Sequence, residues 1–115
     1  MPTTLYGIPN CDSVKRARAW LSGQGIDAVF HDFKKAGVPP GRLDAWIAAV
    51  GWEPLVNRKG TTWRGLDEGL RAGVADAAAA RALLLAHPSV IKRPVIEWPA
   101  GAVSVGFDPE RWPLP

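Results

Sequence analysis

The stretch that decides the fold of this chain is Leu5-Tyr6-Gly7-Ile8-Pro9-Asn10-Cys11-Asp12-Ser13-Val14-Lys15. An apolar run breaks at Gly7-Ile8-Pro9, the only cysteine follows, and a helical pattern begins at Ser13. This order predicts a strand, a tight loop, a thiol and a helix start. A thiol at a helix N-terminus faces the positive end of the helix dipole and the unpaired N–H groups of the first turn, and both favour the reactive thiolate. Cys11 is therefore the candidate nucleophile, although a free cysteine can also be a small buried hydrophobe.

The composition predicts one domain over residues 1–115, in a chain of 115 residues with 47% hydrophobic and 22% charged residues. No apolar run approaches the roughly 20 residues of a membrane span, and no signal peptide is visible. One cysteine cannot form an internal disulfide, which makes the cytoplasm the expected location. The formal charge of +3 comes without a clustered basic stripe, so neither nucleic acid nor membrane is an expected partner.

The first third of the chain has the pattern of a β-α-β unit. Strands are predicted over Thr3–Ile8 and Ala28–Phe33, and a helix over Ser13–Ser22. The strands are joined through a helix and not through a hairpin turn, which implies a parallel pair with a right-handed crossover.

The rest of the chain is predicted to hold helices and then a β-hairpin. At Pro94 the alternatives are a strand start and a cis bond. The predicted segments are a loop over Lys34–Gly41, a helix over Arg42–Val50, a short helical piece from Thr61 or Thr62 to Leu66, an irregular segment over Asp67–Ala75, a helix over Ala77–His87 capped by Asp76, strands over Pro94–Trp98 and Ala102–Phe107, and a last turn from Asp108, its cap, to Trp112. This order predicts an α/β thioredoxin-like fold, with a mixed four-stranded sheet and a helical insertion.

Three segments resemble the ArsC-type family of thioredoxin-fold arsenate reductases and their relatives, which include the Spx regulators. They are Tyr6–Cys11, Asn57–Gly60 and His87–Val95, in the order and spacing of that family. The short YffB-like branch, suspected of glutathione-dependent thiol reduction, is the most similar subgroup.

The resemblance implies roles for several residues. Cys11 matches the nucleophile, and Arg58 and Arg93 match arginines that hold the oxyanion. Pro94 matches a proline that is normally cis and lies beside the cysteine, where it shapes the wall on which glutathione pairs its backbone. Asn10 and Ser13 are candidate hydrogen-bond donors to the thiolate.

The chain departs from the arsenate reductases at two positions. Ile8 stands where they have a histidine, and no arginine occurs near Gly106-Phe107, where they have a third one. Val14 lies three residues after Cys11, so there is no Cys-x-x-Cys motif. His31 and His87 have no metal-ligand spacing to each other or to the thiol, so no metal site is expected.

Together these features predict a monothiol oxidoreductase, with Cys11 as the nucleophile and glutathione as the co-substrate that resolves the mixed disulfide. No bound cofactor is expected. The alternatives are an arsenate reductase proper and a non-enzymatic, Spx-like regulatory protein.

Overall fold

The computed structural model describes residues 2–114, so Met1 and Pro115, the two ends of the predicted domain, lie outside the described part. Contacts between α-carbons divide the chain into two compact units. The first unit joins residues up to Gly37 to residues from Arg93 onward, and the second is Val38–Lys92. The single domain over residues 1–115 stays a prediction.

The first unit is built on a mixed four-stranded sheet in the order β2-β1-β3-β4. Its elements are β1 (Thr3–Gly7), α1 (Asp12–Gly23), β2 (Ala28–Asp32), α2 (Phe33–Ala36), β3 (Val95–Glu97) and β4 (Val103–Val105), followed by a 3-10 turn over Pro109–Arg111. β1 and β2 are parallel, whereas β3 is antiparallel to both β1 and β4. The α/β thioredoxin-like fold and the β-hairpin of the sequence prediction are confirmed.

Helix α1 covers one face of this sheet. Its three buried side chains recur at helical spacing and pack against Leu5 and Ile96 on the sheet. The full set of buried residues in this cluster is Leu5, Val14, Ala17, Leu21, Ile96, Trp98 and Trp112. Each large aliphatic side chain buried in this way contributes about 1.5–3 kcal/mol to folding, so this contact fixes α1, and with it the start of the helix, on the sheet.

The second unit is helical. Its elements are α3 (Pro40–Val50), α4 (Thr61–Arg64), α5 (Glu68–Ala72) and α6 (Ala77–Ala86), with 3-10 turns over Glu53–Leu55 and Pro88–Val90. Leu43 and Trp46 of α3 and Leu84 of α6 are fully buried. This unit is the predicted helical insertion between β2 and β3.

Side-chain contacts stabilise the N-terminus of α6 and its exposed face. Asp76 caps α6, as predicted, since its carboxylate accepts a hydrogen bond from the Ala79 amide at 2.8 Å. Arg81 on the exposed face pairs with Asp44 of α3 at 2.6 Å. The hydrogen bond from Arg81 to Asp44 and their attraction raise the pKa of the guanidinium further above its usual range.

Three local predictions are wrong. The Asp67–Ala75 segment contains α5, because the Asp67 carboxylate caps the amides of Gly69 and Leu70. The predicted loop after Phe33 begins with the single turn of α2, capped by Asp32. Asp108 lies at the predicted N-cap position before Pro109, but its carboxylate makes no capping hydrogen bond and faces Arg111 at 3.4 Å instead.

Candidate active site

The end of β1 and the start of α1 present Cys11 at the surface of the first unit. Cys11 is the N-cap residue of α1, with an extended backbone (φ −102°, ψ 127°). Its carbonyl accepts the first helical hydrogen bond, from the Lys15 amide at 2.9 Å. The thiol is half-buried, packs against the core cluster under α1, and makes no capping hydrogen bond. The half-buried thiol therefore belongs to the residue at the amide-rich end of the helix.

Gly7 allows α1 to begin this close to the sheet. A Cβ at this position would lie 2.6 Å from Cγ2 of Val14, which is fully buried in the first turns of the helix. Only a residue without a side chain fits between β1 and the helix. Gly7 falls within the predicted strand over Thr3–Ile8, at the point where the apolar run breaks. Its packing role is visible only in the fold, which brings Val14 of α1 against it.

The charged side chains around the start of α1 are exposed. Asp12 and Lys15 are both exposed. The first turn thus carries one acid and one base beside the thiol. Neither makes an ion pair within the described range 2–114.

Arg93 and Pro94 lie in the same unit as Cys11. The Arg93–Pro94 peptide bond is cis, and β3 begins one residue later at Val95. Pro94 is fully buried, and its carbonyl accepts a hydrogen bond from the Gly106 amide at 2.8 Å. Arg93 is half-buried and has interaction partners. The hydrogen bond to Gly106 anchors this segment at the end of β4.

The predicted donors Asn10 and Ser13 flank the thiol in sequence. Asn10 is exposed in the loop before the helix, and Ser13 is half-buried in the first turn. No side-chain hydrogen bond joins either residue to Cys11 among the described residues. Their role toward the thiolate stays a prediction.

Arg58 lies in the second unit, in the turn that follows the 3-10 turn over Glu53–Leu55. It is exposed, and its guanidinium carbon is 5.7 Å from the centre of the Trp63 ring. The Lys59 amide donates to the Asn57 side chain at 3.3 Å, which closes this turn. Of the six predicted site residues, five belong to the first unit and Arg58 belongs to the second.

Arg16 is a cation that the sequence analysis missed. Its guanidinium carbon lies 4.5 Å from the centre of the Phe107 ring, within the range of a cation–π contact. Phe107 packs edge-on against Trp112 and, like Cys11, lies against the core cluster of the first unit. Nothing in the sequence signals this pairing, because it depends on how α1 and the end of β4 meet in the fold.

No cluster of three or more histidine, cysteine, aspartate or glutamate side chains exists within residues 2–114 that could hold a metal ion. Among the helices of the described chain, none has the length and apolar character to cross a membrane.

The fold and the site define a class: a thioredoxin-like protein with one cysteine at the start of the first helix. The ArsC family pattern matches residues 6–113. The chain belongs to the ArsC family.

Three similar proteins extend this result. A protein of Haemophilus influenzae (strain ATCC 51907 / DSM 11121 / KW20 / Rd), whose name assigns no function, is 38% identical over 109 residues, or 95% of this chain and 94% of its own length. The solved structure of the YFFB (PA3664) protein is 46% identical, with a TM-score of 0.88 over 94% of this chain and 93% of that one. The solution structure of an arsenate reductase (ArsC) related protein from Brucella melitensis is 51% identical, with a TM-score of 0.76 over 96% of this chain and 91% of its own.

Proposed function

We propose that this protein is a monothiol oxidoreductase, with Cys11 as the nucleophile and glutathione as the thiol that completes the cycle. The observation that carries the proposal is the position of Cys11: a half-buried N-cap residue at the amide-rich end of α1. Membership of the ArsC family supports the thiol chemistry, and the Brucella melitensis relative is described as arsenate reductase-related.

The cycle has two thiol–disulfide exchanges. The Cys11 thiolate attacks one sulfur of a disulfide between glutathione and a substrate thiol. A bond forms between Cys11 and the glutathione sulfur, the original disulfide breaks, and the substrate thiolate leaves and takes up a proton. A second glutathione, as its thiolate, then attacks the mixed disulfide, which releases oxidised glutathione and restores the Cys11 thiolate. The external thiol is required because the chain has no second cysteine.

Two arginines are proposed to bind the anionic groups of the reactants. Of the two predicted anion-binding arginines, Arg93 is the one in the same unit as the thiol, and its planar guanidinium suits a carboxylate or an oxyanion. Arg58 remains a predicted anion-binding residue of the second unit. A reducing compartment such as the cytoplasm is the setting that such a cycle needs, because glutathione is kept reduced there.

The test is the rate of glutathione-dependent reduction of a small disulfide by the wild type and by Cys11→Ser. We expect the serine variant to lose the enzyme-dependent rate, while its circular dichroism spectrum and unfolding midpoint stay those of the wild type. Equal rates for the two proteins would refute the proposal and would favour a non-enzymatic, Spx-like regulatory role.

A second candidate function, arsenate reduction, is favoured by Arg16. The resemblance places a family arginine near Phe107, where this chain has none, and the Arg16 guanidinium lies over the Phe107 ring at 4.5 Å. A cation from α1 is thus present beside Phe107. Reduction of arsenate to arsenite would take two electrons from two glutathione thiols and yield oxidised glutathione and water. We would measure arsenite formation by the wild type and by Arg16→Gln. Arsenite formation that falls in Arg16→Gln would support this candidate, and no arsenite from the wild type would exclude it.

A further inference from the structure

The second unit contains a cleft of about 250 Å³ that is rich in charge. Its charged lining residues are Glu53, Arg58, Lys59 and Lys92, and three of these four are cations. At about 30 Å³ for each water molecule, the cleft holds about eight waters, which is room for a charged end group of a small molecule. We refer to it as the basic cleft.

Backbone pairing brings the cations of the basic cleft together. Asn57 donates from its amide to the Val90 carbonyl at 2.8 Å, and the Lys92 amide donates to the Leu55 carbonyl at 2.8 Å. An isolated antiparallel bridge between Val56 and Ile91 lies between these two bonds. Lys92 is therefore held against the turn that carries Arg58, although 34 positions separate these two residues in the sequence numbering (92 − 58).

The charges of the cleft are not neutralised by pairs within the protein. Arg58, Lys59 and Lys92 make no ion pair among the residues that the structure describes, and Glu53 makes none there either. Three positive side chains against one negative one give the lining a net charge of +2. A ligand with negative charge is therefore favoured at this surface.

Charged side chains supply the positive charge of the basic cleft. The amides of Lys59 and Gly60 are already bonded to Asn57, each at 3.3 Å. Phosphate sites commonly use several convergent backbone amides, and two amides of this turn are already occupied. The fork of Arg58 suits a carboxylate, which it can bind through two parallel hydrogen bonds. Glu53 disfavours a dianion but suits an ammonium group.

From this arrangement we propose that the basic cleft binds the zwitterionic end of a small molecule, namely an ammonium and a carboxylate on the same carbon. The carboxylate pairs with Arg58, Lys59 and Lys92, and the ammonium pairs with Glu53. Free amino acids and γ-glutamyl peptides both carry such an end. The inference rests in part on the proposed function, because Arg58 is also a predicted anion-binding residue of the reductase and glutathione is itself a γ-glutamyl peptide. It involves neither the thiol nor a chemical step.

The test is a titration of the isotopically labelled full chain, followed by amide chemical shifts. The probes are γ-glutamylglycine, its N-acetylated form and inorganic phosphate, none of which has a thiol. L-Alanine serves as a fourth probe, because it separates a general amino-acid site from one that needs the γ-glutamyl group. We expect saturable shifts in residues 53–60 and 90–92 with γ-glutamylglycine, and weaker binding of the N-acetylated form and of phosphate.

Charge variants make the test sharper. Lys92→Met should weaken γ-glutamylglycine by about fivefold, the upper range for an exposed charge pair, whereas Lys35→Met outside the cleft should have no effect. Glu53→Gln should weaken the binding of γ-glutamylglycine, because it removes the attraction between Glu53 and the ligand ammonium. It should strengthen the binding of the N-acetylated form, because it removes the repulsion between Glu53 and the carboxylates of that ligand. The proposal is overturned if these residues do not shift, if phosphate or the N-acetylated form binds as tightly as γ-glutamylglycine, or if Glu53→Gln changes both peptides in the same direction. Since no probe carries a thiol, these results are separate from the outcome of the reductase assay.

Discussion

Replacement of Gly7 by alanine tests the packing that places the thiol. The new Cβ would lie 2.6 Å from Cγ2 of Val14, which is about 1 Å closer than a favourable carbon–carbon contact. Val14 cannot turn away easily, because a β-branched side chain in a helix is held near one rotamer. Relief must therefore come from a shift of α1 against β1, and forced overpacking of this kind costs about 1–3 kcal/mol.

Urea unfolding followed by circular dichroism measures this cost. We expect the midpoint for Gly7→Ala to fall by about 1 M, since the slope for small proteins is about 1–3 kcal/mol per molar urea. The matched control is Gly23→Ala at the end of α1, where a Cβ meets nothing within 4 Å and φ is not positive. That variant should be as stable as the wild type or slightly more stable, by about 0.4–1 kcal/mol.

A double-mutant cycle isolates the contact. In a Val14→Ala background the offending Cγ2 is absent, so Gly7→Ala should then cost less than about 0.5 kcal/mol, and the two effects should not add. The reasoning would be refuted if Gly7→Ala had no effect on the midpoint, or if it cost the same with and without Val14.

Three further predictions address local contacts. Asp76→Ala removes the carboxylate that accepts from the Ala79 amide at 2.8 Å and should lower the free energy of unfolding by about 1 kcal/mol, measured in urea. Asp76→Asn should retain most of the wild-type stability, because asparagine is also a good N-cap residue. An alanine variant as stable as the wild type would contradict the cap. Ser104→Ala removes the acceptor of the Trp98 indole N–H at 2.8 Å and should cost about 1–3 kcal/mol, because the donor of a buried tryptophan is left without a partner; a thermal midpoint equal to that of the wild type would contradict this. Arg81→Gln breaks an exposed pair and should leave the midpoint nearly unchanged between low and high salt, whereas a large loss at low salt would show that the pair matters more than its exposure implies.

The sequence predicted the elements whose signals are local. The apolar run before Cys11, the helical spacing of Val14, Ala17 and Leu21, and the cap at Asp76 each lie within a few residues of the structure they specify. These signals were sufficient for the β-α-β unit, the thioredoxin-like order and the position of the thiol at the helix start.

The errors arose where a side chain overrides a local tendency. Gly69 and Gly73 indicated an irregular segment, yet the Asp67 carboxylate pairs with two amides and stabilises a helical turn between them. Asp108 had the pattern of a cap, but a nearby arginine, Arg111, takes its carboxylate. In both cases the choice depends on a competition between hydrogen bonds that residue spacing does not resolve.

The features of the candidate sites that were missed depend on tertiary pairing. Arg16 contacts Phe107 only because α1 packs against the end of the hairpin. Lys92 lines the same cleft as Arg58 only because residues 55–57 pair with residues 90–92. No pattern of residue types in the sequence predicts either of these two pairings. The resemblance to the ArsC family likewise supplied residue roles for Arg58 and Arg93, but not the neighbours that surround them.

The proposed cycle requires that Cys11 form a covalent mixed disulfide with glutathione during turnover. The most direct measurement is the intact mass of the protein after acid quenching of the reaction, with peptide mapping of any adduct. We expect a glutathione adduct on Cys11 that accumulates when free glutathione is limiting and disappears when glutathione is added, and no adduct on Cys11→Ser. Turnover without an adduct on Cys11, or turnover that persists in Cys11→Ser, would contradict it.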